Sequence, residues 1–163
     1  MPHILFVCTA NICRSPVAEG ILRQRLESQF MDGWTVGSAG TWVEQERGAS
    51  QNSVLVLEER GIDISDHVAR TVTGEMLRDA DLILCMETGH AEALMAEFPE
   101  TRGKVYMLSQ MVGRRHDVAD PYGLPLEDYQ HMAAEVEQLI DEALPRIREL
   151  ASDNARRRWG VRD

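Results

Sequence analysis

Cysteine is scarce in this chain, and an odd set of three (Cys8, Cys13 and Cys85) in 163 residues excludes a disulfide framework. It fits a reducing compartment, and a cytoplasmic location is expected. No apolar run reaches the roughly 18 residues that a membrane span needs, and no basic stretch precedes an apolar core at the N-terminus, so neither a span nor a signal peptide is expected. Positive charge is also short. Lys and Arg number 17 against 27 Asp and Glu, and the formal net charge of −10 argues against nonspecific nucleic-acid binding. Internal repeats and low-complexity tracts are absent. The length suits one domain, expected over residues 1–152, with 153–163 as a flexible basic tail.

What the chain does have is concentrated in H-I-L-F-V-C-T-A-N-I-C-R-S, His3 to Ser15. Ile4 to Val7 is a short apolar run of β-formers without polar alternation, which predicts a strand buried on both faces. Cys8 follows at once, and Pro16 stands at a first helical position ahead of V-A-E-G-I-L-R-Q-R-L, so the order is strand, tight loop, helix. The backbone N–H groups of such a loop and of the helix start converge on one point, a cradle for an oxyanion. In that field the thiolate form of a thiol is favoured, which suits Cys8 to the part of a nucleophile. Arg14 can grip two oxygens of the tetrahedral anion that the thiolate attacks, and Ser15 can donate its hydroxyl to the sulfur. Acidity elsewhere does not forbid this, because exposed charges beyond about 8–10 Å are largely screened.

Further along, a helix is expected from Ser15 to Phe30 and a short strand ending at Gly37, with Ser38 to Thr41 turning away. A helix behind Ser50 or Asn52 stops at Gly61, and a short one is capped by Thr73. A-D-L-I-L-C-M and K-V-Y-M-L read as buried strands flanking a helix from Thr88 to Phe98, Ser109 to Glu127 as a long loop, and about Leu126 to Leu150 as the last helix, with Pro145 inside it. Buried strands alternating with helices predict an α/β domain, a parallel sheet with helices on both faces, whose ligands sit beyond the carboxyl ends of the strands. Cys8 lies at such an end.

The long loop contains D-V-A-D-P-Y-G, residues 117 to 123. A thiolate that displaces a phosphate ester needs a group to protonate the departing oxygen, and later one to take a proton from attacking water. Asp120 can do both, since Pro121 holds it extended.

C-T-A-N-I-C-R-S-P followed far downstream by D-P-Y-G resembles the low-molecular-weight protein tyrosine phosphatase family. S-A-G-T at 38–41, G-I-D-I-S-D-H-V-A-R at 61–70 and L-I-L-C-M at 82–86 stand in the family's order, so the likeness covers nearly the whole chain. The resemblance implies a three-layer α/β/α domain on a four-stranded parallel sheet, and hydrolysis of phosphotyrosine through phosphocysteine without metal or cofactor. It makes Cys8 the nucleophile, Arg14 the transition-state clamp and Asp120 the general acid and then base. Thr9, Ala10, Asn11, Ile12, Cys13 and Ser15 would form the phosphate loop. Asn11, Ser15, Ser38 and His67 would support it, and Trp42 and Tyr122 would wall the phenyl ring. Implied partners are a phosphotyrosine-containing protein, a tyrosine kinase among the candidates, and phosphate, sulfate or vanadate in the site; nucleic acid and membrane are not expected.

Two departures matter. Ala10 stands where many members have Gly, so this position must have a backbone that tolerates a methyl group. Ile12 replaces the polar Thr of members that act on phosphoarginine, which favours an aryl substrate. Protein arginine phosphatase remains the alternative. An arsenate reductase of this fold needs a further cysteine pair that Cys85 alone does not supply. A binding module without catalysis would have no use for Cys8, Arg14 and Asp120 together, and a phosphotransfer subunit of a sugar transport system needs neither Arg14 nor Asp120. Cys13, in the same loop as Cys8, is a candidate redox partner for it.

Overall fold

The computed structural model describes residues 1–160, and its centre is β1, His3–Cys8, buried over all but its first residue. Burial on both faces follows from its place inside a four-stranded sheet of order β2-β1-β3-β4. β2 is Thr35–Gly40, β3 Leu82–Cys85 and β4 Val105–Met107, and every pairing is parallel. The register sets Cys8 beside Gly40 and Val7 beside Cys85, so the carboxyl ends of three strands share one edge. The expected four-stranded parallel sheet is present.

Strand alternation distributes the core between two layers. Ile4, Phe6 and Cys8 face α1 (Arg14–Ser28), α2 (Gln51–Glu58) and α5 (Leu126–Arg158), in a cluster that includes Val17, Ile21, Leu57, Val136 and Ile140. Leu5 and Val7 face the opposite way, toward α3 (Gly74–Asp79) and α4 (Thr88–Glu97), where Leu77, Ala91 and Leu94 close the second layer. Thr73 caps α3 as expected, its hydroxyl accepting from Met76 N–H at 3.2 Å.

Three boundaries differ from the sequence reading. β2 does not end at Gly37 but continues through Ser38 and Ala39 to Gly40, because Ser38 and Gly40 pair with β1 and small residues are what the adjoining loop admits. The loop expected from Ser109 begins inside a 3-10 helix, Leu108–Val112. The last helix passes Pro145 and reaches Arg158, so residues 153–158 are not a flexible tail. Ala155 is buried and the Arg158 guanidinium lies 2.8 and 2.9 Å from the two carboxylate oxygens of Asp81, which is 1% exposed. Residues 161–163 of the expected tail lie outside the described residues.

Candidate active site

Between β1 and α1 the chain turns so that its carbonyls face outward. Thr41 N–H donates to Cys8 O at 3.0 Å, Trp42 N–H to Thr9 O at 2.9 Å, His67 Nε2 to Asn11 O at 2.7 Å and Ser50 N–H to Ile12 O at 2.8 Å. The Ser53 hydroxyl donates to Cys13 O at 3.2 Å. With these acceptors held by β2, α2 and the segment before α3, the amides of the loop are left for an anion, joined by the first N–H groups of α1, which have no partner within a helix. Gly40 is required where β2 meets this loop, since a Cβ there would lie 2.5 Å from Thr9 O.

Asn11 organises the interior. It is fully buried at φ 58°, a left-handed conformation that Asn tolerates better than most side chains. Ala10 has no positive φ, so the strained position falls one residue later and the methyl group is accommodated, as expected. Asn11 Oδ1 accepts from Arg70 N–H at 3.0 Å, which fixes the amide orientation and makes Nδ2 the donor to Ser15 Oγ at 2.8 Å and Ser38 Oγ at 2.9 Å. The Ser15 hydroxyl, already accepting from Asn11, lies 2.9 Å from Cys8 Sγ, within reach to donate its own proton once that sulfur is a thiolate. The structure therefore brings Asn11, Ser15, Ser38 and His67 together around one loop.

Arg14 is 1% exposed. Its Nη1 donates to Val118 O at 2.7 Å and lies 2.9 Å from Glu87 Oε2, and Nη2 is 3.8 Å from Asp120 Oδ2. The Asp120 side chain is half-exposed, and its Oδ1 accepts from Tyr122 N–H at 3.1 Å, a turn that presents the other oxygen to Arg14. A cleft of about 260 Å³ has Cys8, Thr9, Ala10, Ile12, Cys13 and Arg14 at its base and Trp42, Asp120 and Tyr122 at its rim. Ile12 is 5% exposed, whereas Trp42 and Tyr122 stand 70% and 61% exposed, aromatic faces open to an incoming group. Cys13 Sγ lies 3.4 Å from Tyr129 Oη and 3.5 Å from Ser50 Oγ, and burial raises its thiol above the ordinary value. Burial, with Cys13 beside it, pushes Tyr129 up to about 12.

The sequence reading missed Glu87, left between a strand through Met86 and a helix from Thr88, and His90, taken only as part of that helix. The available signal was position. β3 is parallel to β1, so charged residues just after Cys85 stand at the same sheet edge as Cys8.

Residues 3–155 match the family described as low molecular weight phosphotyrosine protein phosphatase. The chain belongs to that family. Its members are cysteine-dependent phosphatases, and the chain is a phosphatase of this kind. A protein-arginine-phosphatase of Geobacillus stearothermophilus is 38% identical over 149 residues, 90% of this chain and 97% of the relative. The low molecular weight protein tyrosine phosphatase from T. tengcongensis is 41% identical, with a TM-score of 0.85 over 90% of this chain and 99% of that one. Wzb of Vibrio vulnificus, solved in complex with benzylphosphonate, is 33% identical, with a TM-score of 0.79 over 91% of this phosphatase and 99% of Wzb. No helix among the described residues is long and apolar enough to cross a membrane.

Proposed function

We propose that this phosphatase hydrolyses phosphotyrosine in proteins, and small aryl phosphates, in two displacements. The Cys8 thiolate attacks phosphorus, the bond to the phenolic oxygen breaks, and Asp120 gives that oxygen its proton. Water then attacks the phosphocysteine, Asp120 takes its proton, and phosphate leaves. Charge on the three equatorial oxygens is met by the loop amides and by Arg14, whose Nη1 is already committed to Val118 and Glu87, leaving the rest of its fork for the anion. Phosphate, sulfate and vanadate should occupy the same cradle. The observation that carries this reading is the Ser15 hydroxyl within reach of Cys8 Sγ, beside a loop whose carbonyls face away. Trapping phosphorus on Cys8 during turnover of p-nitrophenyl phosphate tests it. Cys8→Ser should abolish turnover and still bind vanadate; residual turnover in that variant would remove Cys8 as nucleophile.

Apolar Ile12 at the base and Trp42 and Tyr122 at the rim support an aryl group over a guanidinium. The second reading is protein arginine phosphatase, favoured by the likeness to the Geobacillus enzyme. Turnover of phosphoarginine peptides faster than phosphotyrosine peptides would establish it.

Cys13 supports a redox role beside Cys8. Peroxide oxidises the Cys8 thiolate to sulfenic acid with loss of water or hydroxide, and the Cys13 sulfur displaces a second water to close a disulfide. The raised Cys13 thiol makes it the resolving partner and not the first to react. Intact mass after peroxide should fall by two hydrogens and recover with reductant; no such fall would remove Cys13 from this role.

A further inference from the structure

Against Thr9 of the phosphate loop lies a side chain with no part in the chemistry above. His90, in the first turn of α4, is 7% exposed. Its Nε2 is 2.9 Å from Thr9 Oγ1 and 3.4 Å from Glu87 Oε2, whereas its Nδ1 is buried with no hydrogen-bond partner among the described residues. This asymmetry fixes the tautomer. A proton on Nδ1 would leave a buried N–H unpaired and set the Nε2 lone pair 3.4 Å from a carboxylate; a proton on Nε2 meets Thr9 Oγ1, sits near the Glu87 charge and leaves only a lone pair unsatisfied.

We propose that His90 is a positioning residue of the phosphatase, its Nε2–H donating to Oγ1 of Thr9, the first residue after the nucleophile, while the same nitrogen stands 3.4 Å from the Glu87 carboxylate that holds Arg14. One ring thus sets two walls of the cradle: the backbone of Thr9, and, through Glu87, the guanidinium 2.9 Å beyond it. A second proton on the ring has nowhere to go but the unpartnered Nδ1. Burial is the leading influence and lowers His90, with Glu87 opposing it, Arg14 on α1 reinforcing it, and Asp117 and Asp120 of the long loop opposing it. On balance these influences favour the neutral ring.

The inference rests on the phosphatase reading, so turnover of p-nitrophenyl phosphate by the wild type is the internal control; its absence would overturn both. His90→Leu should lower kcat about tenfold, the cost of losing a buried hydrogen bond to Thr9 together with the polar contact to Glu87, with KM within about threefold. His90→Gln, whose amide N–H reaches the place of Nε2–H, should recover most of that loss. Thr9→Val should lower kcat less, and the Thr9→Val/His90→Leu double variant should lose less than the product of the single losses. Nitrogen NMR of the wild-type ring at neutral pH should show the neutral Nε2–H tautomer. Equal kcat for His90→Leu and wild type, no recovery by His90→Gln in a folded protein, strictly multiplicative losses, or an Nδ1–H or doubly protonated ring would each overturn the proposal while leaving wild-type phosphatase activity intact.

Discussion

At Asp120 two demands meet on one carboxylate. Oδ1 is spent on the Tyr122 N–H, which leaves Oδ2, 3.8 Å from Arg14 Nη2, as the oxygen free to move a proton. If that oxygen protonates the leaving group, Asp120→Ala should cost about 10²–10⁴ in kcat with phenyl phosphate and much less with p-nitrophenyl phosphate, whose phenol leaves readily as an anion. The check is kcat across a series of leaving groups, and equal losses throughout would remove Asp120 from the acid role. That Cys8, Arg14 and Asp120 line one cleft could be anticipated from the sequence, because their chemistry leaves few other uses for such residues at such spacing. The place of Glu87 and His90 could not, because a glutamate and a histidine just after a strand look like any helix start until folding carries them against Thr9 and Arg14.

Among elements, the junction of β2 with the phosphate loop is the tightest. Gly40 N–H donates to Arg70 O, its carbonyl accepts from Val72 N–H, and the missing Cβ is what lets Thr9 O approach. Gly40→Ala should therefore cost about 1–3 kcal/mol of stability from overpacking against backbone that cannot rotate aside. Because the displaced atom belongs to the cradle, kcat should fall as well. Urea unfolding and steady-state kinetics on the same preparation check both, and a variant destabilised but fully active would separate the strand from the site. This contact also explains why β2 was read too short: Gly and Ser have low strand propensity, and their place in the sheet comes from what lies beside them. The helix ends went differently. Apolar period located α5 to within its last turns, but its extension to Arg158 depends on Asp81, far away in sequence, and no local pattern carries that.

For the molecule as a whole, acidification pits buried and half-buried groups against one another. Burial lowers both His3, beside Thr35 at the start of β1, and His90 from the ordinary 6.5, so below that value the unfolded chain takes protons that the native state refuses. Stability from these two therefore rises with pH toward 6.5 and falls on the acid side of it. Glu19 acts in the opposite sense. Burial raises its carboxyl from the ordinary 4.5, against the pull of Arg23, His67 and Arg70, so above 4.5 the native state holds a proton that the unfolded chain releases. Its contribution is present at acid pH and is lost as pH climbs through its raised native value. The measured slope of unfolding free energy between about pH 5 and 6.5 is the difference of these tendencies. In urea titrations, His3→Gln and His90→Gln should each flatten the rise with pH, and Glu19→Gln should steepen it. If His3→Gln and His90→Gln leave the slope as it is in the wild type, neither ring is kept neutral by its surroundings, and the acid limb of stability must come from the carboxylates paired with arginine instead.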